Sequence, residues 1–121
     1  MQKPQRIRAY AVAKDLAVAV YRLTRRFPSD ERFGLTAQMR RAAVSIGSNL
    51  AEGRGRGSDK AFLAFVYVAI GSANELEFQM GLAIDLGFAD ASESSETLAL
   101  VNSVRAMLLK LAARLREGVT Q

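Results

Sequence analysis

The arginines are the side chains whose number and spacing could do chemistry. Gly53-Arg54-Gly55-Arg56-Gly57 is a short basic run punctuated by glycines, and Arg22, Arg25, Arg26, Arg32 and Arg40 precede it in the same half of the chain. A guanidinium is planar, always charged and forked to match two phosphate oxygens, so clusters of it suit a polynucleotide backbone. Residues 1–57 carry 12 Lys and Arg against 4 Asp and Glu, a net +8, and 10 of the 12 are arginine. Residues 58–121 carry 5 against 8, a net −3, which leaves the chain at +5. Arg22, Arg25, Arg26, Arg32, Arg40, Arg54 and Arg56 are therefore candidate phosphate contacts. An ordinary solvated helix face also carries such charges, so charge alone leaves nucleic-acid binding open.

The three glycines do not make a nucleotide loop. A dinucleotide or P-loop site needs a strand before its glycines and, for the P-loop, a Gly-Lys-Ser/Thr. Here a helical pattern precedes them and no such tripeptide follows. What remains is a flexible basic turn at a helix N-terminus, where free backbone N–H groups favour an anion.

Catalytic groups are scarce. The sequence holds no histidine and no cysteine. The commonest general base, the commonest transition-metal ligand and any thiolate are thereby removed. Glu75 and Glu77 are two residues apart, which on a helix turns them to different faces. A di-iron bundle needs Glu-x-x-His. No catalytic residue, metal site or cofactor is expected. One enzymatic alternative stays open, a metal-dependent nuclease built on Glu52 and Glu75. Tyr10, Tyr21 and Tyr67 could stack on bases, although each also suits the edge of a core.

Four amphipathic segments must position these groups. The first, about Ile7 to Arg26, places Ala9, Ala13, Leu16, Val20, Leu23 and Phe27 on one stripe at spacings of 4, 3, 4, 3 and 4. Arg25 and Arg26 then fall in its last turn, and Phe27-Pro28 stops it. The second runs from an N-cap at Thr36 to Glu52, with Gly53 as C-cap. Its apolar stripe is Leu35, Met39, Ala42, Ala43, Ile46 and Leu50. Beside that stripe runs a polar one, Gln38, Arg41, Ser45, Asn49 and Glu52, at spacings of 3, 4, 4 and 3. An ordered polar stripe next to a core points to hydrogen bonds with another helix or subunit, and Arg41 could pair with Glu75 or Glu77. Gly47 within the helix costs up to about 1 kcal/mol relative to Ala, which a close crossing or a bend could justify.

The third segment, about Asp59 to Leu86, is capped by Ser58 and closed by Gly87. Phe62, Phe65, Val66, Ala69, Ala73, Leu76, Met80 and Ala83 form its stripe. Gly71, Ser72 and Ala73 form a small-residue patch that admits a close neighbour. The fourth starts at a cap on Ser92 or Ser94 and ends near Glu117, with Leu98, Val101, Val104, Leu108, Leu111 and Leu115 at heptad-like spacing. Short loops between four such helices imply one all-α domain over residues 1–121, an up-down four-helix bundle with residues 1–6 and 118–121 frayed. The longest clean apolar stretch, Ala61 to Ser72, is too short to cross a membrane. Met1-Gln2-Lys3-Pro4 has no apolar region behind it, so no signal peptide is expected. A cytoplasmic location is the expectation, with no membrane partner.

Two long motifs add to this reading. The run from Phe33 to Gly53, FGLTAQMRRAAVSIGSNLAEG, resembles the "FGLTxQxRRAAxSIxxNIAEG" signature of the 23S ribosomal RNA intervening-sequence proteins. Ala69 to Glu77, AIGSANELE, looks like that family's "AxGSxxELE", and Tyr21 to Thr24 with Phe27-Pro28 match its first helix. The resemblance covers about Tyr10 to Phe88. Many members have proline where this chain has Gly47. The family is similar to the accessory variability protein of diversity-generating retroelements, a pentameric ring of four-helix bundles that binds nucleic acid and a reverse transcriptase. The resemblance therefore implies a homo-oligomer, most simply a pentamer, that binds structured RNA or DNA. In that setting Gln38, Arg41, Ser45, Asn49, Glu52 and Glu75 would serve as structural or interface groups. The alternative is a protein–protein adaptor that docks a nucleic-acid enzyme, such as a reverse transcriptase, without touching nucleic acid.

Overall fold

The computed structural model describes the backbone of residues 3–120 and the side chains of residues 6–119. Four α-helices follow one another: α1 (Lys3–Thr24), α2 (Leu35–Arg54), α3 (Asp59–Asp85) and α4 (Ala91–Thr120). A single 3-10 turn, Ser29–Glu31, lies between the first two, and no strand is present among the described residues. Helices α1 and α4 run further towards the termini than the apolar pattern implies. α1 packs on α2 and α4, α3 packs on α2 and α4, and the diagonal pairs do not meet. This is the up-down four-helix bundle expected from the periodicity.

The core consists of the four predicted stripes, with one correction: Phe65, placed on the α3 stripe, is only half-buried and lies under α2 at Gly53 rather than in the core. Ala9, Ala13, Leu16 and Val20 from α1, Met39, Ala43 and Ile46 from α2, Val66, Leu76 and Met80 from α3, and Val101, Leu108, Leu111 and Leu115 from α4 belong to one buried cluster. Burying a Leu, Ile, Val or Met side chain contributes roughly 1.5–3 kcal/mol. Leu23, Leu35 and Leu98 lie half-buried at the margins.

The helix ends differ from the simple caps. α2 begins after Gly34, and the Glu31 carboxylate accepts from the Leu35 N–H at 3.0 Å. Thr36, expected as the cap, is one residue inside the helix and buried. Ser58 does cap α3, its hydroxyl accepting from the Ala61 N–H at 3.2 Å. Gly87 follows α3 with φ +79, and Phe88 N–H reaches Ala83 C=O at 2.9 Å, which closes a Schellman motif. The start of α4 is a reciprocal capping box: Glu93 N–H donates to Asp90 Oδ1 (2.7 Å) and Asp90 N–H to Glu93 Oε1 (3.0 Å). Neither Ser92 nor Ser94 is the cap; Ser94 is buried.

Helix α3 also corrects the reading of hydrophobic length. It is long and apolar enough to cross a membrane by length and composition, and only 28% of its most apolar window is buried. Counting uninterrupted apolar residues misses this, because an average over 18 residues tolerates polar interruptions that end a run.

Two glycines of α2 play opposite parts. Gly53 is not the C-cap but the point where α2 lies directly on α3: a Cβ there would stand 2.7 Å from Phe65 Cβ and 2.9 Å from Phe62 Cδ1. A Cβ at Gly47 would meet only Ala13 Cβ, at an ordinary 3.7 Å. At Gly71 it would meet nothing, so that residue of the small patch admits no close neighbour within the bundle. Gly53→Ala should therefore destabilise by about 1–3 kcal/mol through overpacking. Gly47→Ala should stabilise by about 0.5–1 kcal/mol, since the backbone loses less entropy on folding. Urea denaturation of both variants checks the pair. Equal effects of one sign would contradict this account of the α2–α3 contact.

Candidate nucleic-acid interface

At one end of the bundle the α1–α2 and α3–α4 connections meet. Phe27 and Phe88 stack there with ring centroids 5.6 Å apart, and Arg26 pairs with Glu93 across the same junction. Arg26 thus ties α1 to the α4 capping box. α1 ends at Thr24, so Arg25 and Arg26 lie in the turn after it rather than in its last turn. Arg22 and Arg25 are exposed and make no ion pair among the described residues.

Beside this junction is a surface groove of about 630 Å³ whose lining includes Tyr21, Arg32, Phe33, Arg40, Arg41 and Val44. Arg40 is held in place: its Nε donates to Thr24 Oγ1 at 2.9 Å, and its guanidinium lies 4.5 Å above the Tyr21 ring. Thr24 passes the restraint on, since its hydroxyl donates to Val20 C=O at 2.7 Å. The Arg32 guanidinium sits 4.8 Å from the Phe33 ring centroid. Phe33 is 83% exposed. Of the seven candidate arginines, this end gathers Arg22, Arg25, Arg26, Arg32 and Arg40, and it adds Arg41.

Arg54 and Arg56 are elsewhere. Arg40 and Arg54 share α2 but are 14 residues apart, about 21 Å along the axis at 1.5 Å per residue. Arg54 approaches the Tyr10 ring at 5.9 Å. Arg56 lies 5.2 Å from the Phe65 ring and 3.7 Å from Glu52. The seven arginines therefore do not share one surface: Arg32 and Arg40 line the groove beside α2, Arg22 and Arg26 face the α1–α4 side with Glu93, and Arg54 and Arg56 lie at the far end of α2.

The polar stripe of α2 divides similarly. Its middle is structural: Ser45 Oγ and Ser72 Oγ are 2.9 Å apart across the α2–α3 contact, and Asn49 Nδ2 donates to Ser45 Oγ (3.0 Å) and Ser45 C=O (2.8 Å). Gln38, Arg41 and Glu52 are exposed at its ends. Arg41 does not pair with Glu75 or Glu77. Glu75 accepts from Gln79 Nε2 at 3.3 Å, and Glu77 is taken by Arg105 at 2.8 Å. The helical period of the sequence does not mark Arg105, because its partners, Asn74 and Glu77 on α3 and Asn102 on α4, converge only in the fold. Tyr67 is another such case, its hydroxyl accepting from Arg116 at 2.8 Å. Among the described residues no three Asp or Glu converge as a metal cage.

Residues 5–110 match the 23S rRNA-intervening sequence protein family. The chain belongs to that family. Among solved structures, this intervening-sequence protein is similar to a protein of unknown function from the S23 ribosomal protein family of Bacteroides thetaiotaomicron VPI-5482. The two share 19% identity over 90% of this chain and 98% of the other, with a TM-score of 0.83. At that identity the likeness speaks for the fold. No curated protein matches the chain. Two signature runs of the intervening-sequence family thus meet in space: Ser45 of the first bonds Ser72 of the second, and Gly53 of the first admits Phe65 just ahead of the second.

The Glu77–Arg105 pair gives the protein a pH signature. Hydrogen bonding by Arg105, reinforced by its charge, holds the Glu77 carboxyl below the usual carboxylate range. A group with a depressed folded pKa stabilises above its unfolded pKa, about 4.3 for Glu, and that contribution vanishes as pH falls through the folded value. The stability difference between wild type and Glu77→Gln should be largest near neutral pH and shrink below about pH 4. A difference independent of pH in urea titrations would show that the pair contributes nothing.

Proposed function

We propose that this protein is a non-enzymatic, homo-oligomeric binding protein for structured RNA or DNA. The observation that carries the reading is the arginine face at the α1–α2 junction. Arg25, Arg32, Arg40 and Arg41 make no ion pair among the described residues, whereas Arg22 faces the α1–α4 side beside Glu93 and Glu96. Like charges gathered on one face raise the local concentration of a counter-ion, and the guanidinium fork matches phosphate bidentately. The family's link to 23S rRNA intervening sequences fits such a ligand. Against an enzyme stand the lack of His and Cys and the engagement of Glu52, Glu75 and Glu77 by Arg56, Gln79 and Arg105.

Self-association is supported by the outer face of α3. Val68, Phe78, Leu82 and Leu86 follow one another along it and are 51%, 71%, 38% and 53% exposed. Phe78, Leu82 and Leu86, one turn apart and exposed together, are the kind of apolar surface that interaction sites use. Glu75 sits within the stripe. An acid in mid-membrane is costly, about 2.5–3.5 kcal/mol for Asp on insertion scales, so a second protein surface suits the face better than lipid. We take the occupant to be a second copy, closing a ring of five as the family resemblance implies, and the location to be the cytoplasm. The same face supports the second reading, an adaptor that docks a nucleic-acid enzyme; partners captured after nuclease treatment would favour it.

Charge reversal tests the binding face. Arg32→Glu with Arg41→Glu should weaken binding of a ribosomal RNA hairpin at least tenfold in fluorescence anisotropy at low salt. Arg54→Glu with Arg56→Glu, at the other end of α2, measures whether the second cluster belongs to the same site. Unchanged affinity in the Arg32/Arg41 variant would remove the junction from the interface. Light scattering should return a multiple of the 13.2 kDa chain mass; a monomer at all concentrations would contradict the assembly.

A further inference from the structure

The groove at the α1–α2 junction has a feature that backbone binding alone does not need. Phosphate contacts require cations, not an aromatic ring, yet Phe33 is the most exposed large hydrophobic side chain of the described residues, at 83%. It is off every core stripe, in the connection between Pro28 and α2. Arg32 lies over its ring at 4.8 Å, and Tyr21, under Arg40, lines the same groove with Val44. The groove's volume of about 630 Å³ falls within the roughly 300–1,000 Å³ of small-ligand sites.

We infer that this groove takes an unpaired nucleotide, its base stacked on Phe33 and its flanking phosphates held by Arg32, Arg40 and Arg41. The inference rests on the nucleic-acid reading above and narrows it to RNA or DNA that presents a base outside a duplex. Bases within a duplex are already stacked and offer no free face, whereas a looped-out or terminal base does. Every base has a π-face, so such a site accepts any base and reads structure rather than sequence. The charges favour this occupant over an apolar protein segment. Three guanidiniums line the groove and no carboxylate does. Glu31, in the same connection, is committed to capping α2 through the Leu35 N–H. An apolar segment laid over the groove would cover three cations without neutralising them, which is costly. A nucleotide supplies the flat apolar face and the counter-charges together. Arg40, fixed by Thr24 and Tyr21, is the preorganised member of the set.

The test compares two RNAs on the full-length protein by fluorescence anisotropy at low salt: a hairpin with an unpaired loop, and a blunt duplex of the same stem. Wild type should prefer the hairpin. Phe33→Ala should bind the hairpin about tenfold more weakly, the scale of one lost base–aromatic stack, while its affinity for the duplex and its salt dependence stay unchanged. Phe33→Tyr should restore the preference. Because Phe33 contributes little to the core, circular dichroism should show Phe33→Ala folded as wild type. The inference is overturned if Phe33→Ala keeps the wild-type preference, or if it loses both RNAs equally. It is also overturned if light scattering shows that the variant's assembly has changed, which would make the groove a contact between copies. Absence of binding to either RNA by wild type at low salt is a different failure, that of the nucleic-acid reading itself.

Discussion

Helix α2 can lie against α3 only because Gly53 has no side chain. Its backbone rests on Phe62 and Phe65, and further along the contact Ser45 and Ser72 share a hydrogen bond where larger residues would push the helices apart. That close approach sets the rotation of α2 about its own axis. With one side on α3 and the adjoining side, Met39, Ala43 and Ile46, in the core, the remaining surface must face outwards beside α1. Arg40 and Arg41 are on that surface. The groove beside α1 is thus a consequence of the packing.

Electrostatics then divides the molecule. Where the helices need tying together, each arginine has a carboxylate: Arg26 holds Glu93 at the α1–α4 junction, and Arg105 holds Glu77 between α3 and α4. On the outer surface of the α1–α2 junction the arginines have none. Several of them lie against aromatic rings instead, Arg40 on Tyr21 and Arg32 on Phe33, which orders the guanidinium without neutralising it. A cation ordered but not neutralised is well prepared for an external phosphate, because its ordering entropy has been lost already on folding.

The helices and core were legible because a 3.6-residue period says which side of a helix is buried without reference to any partner. Leu16, Ile46, Leu76 and Leu108 sit in the core as the stripes require. The helix ends were less so. Thr36 and Ser92 looked like caps by residue type, but Glu31 and Asp90 were better placed, each through a carboxylate three or four residues from its donor. Gly53 has the residue type of a C-cap, and only the neighbouring helix reveals it as a contact. The candidate arginines could be named but not sorted, since the length of α2 separates Arg40 from Arg54 and a tertiary ion pair with Glu93 engages Arg26. Phe33 had a signal in its place outside every stripe, and its exposure became visible only in the fold.

The most direct test of the central claim is the salt dependence of binding by the wild-type protein to duplex DNA and to single-stranded RNA. If the junction arginines neutralise phosphates, log K should fall linearly with log salt concentration, with a slope of about −0.9 per phosphate on the duplex and about −0.7 on the single strand. Four or five engaged arginines per subunit site would give a duplex slope near −4. A slope close to zero, or no binding at low salt, would contradict the account, and the unpaired arginines would then need a protein partner rather than a nucleic acid.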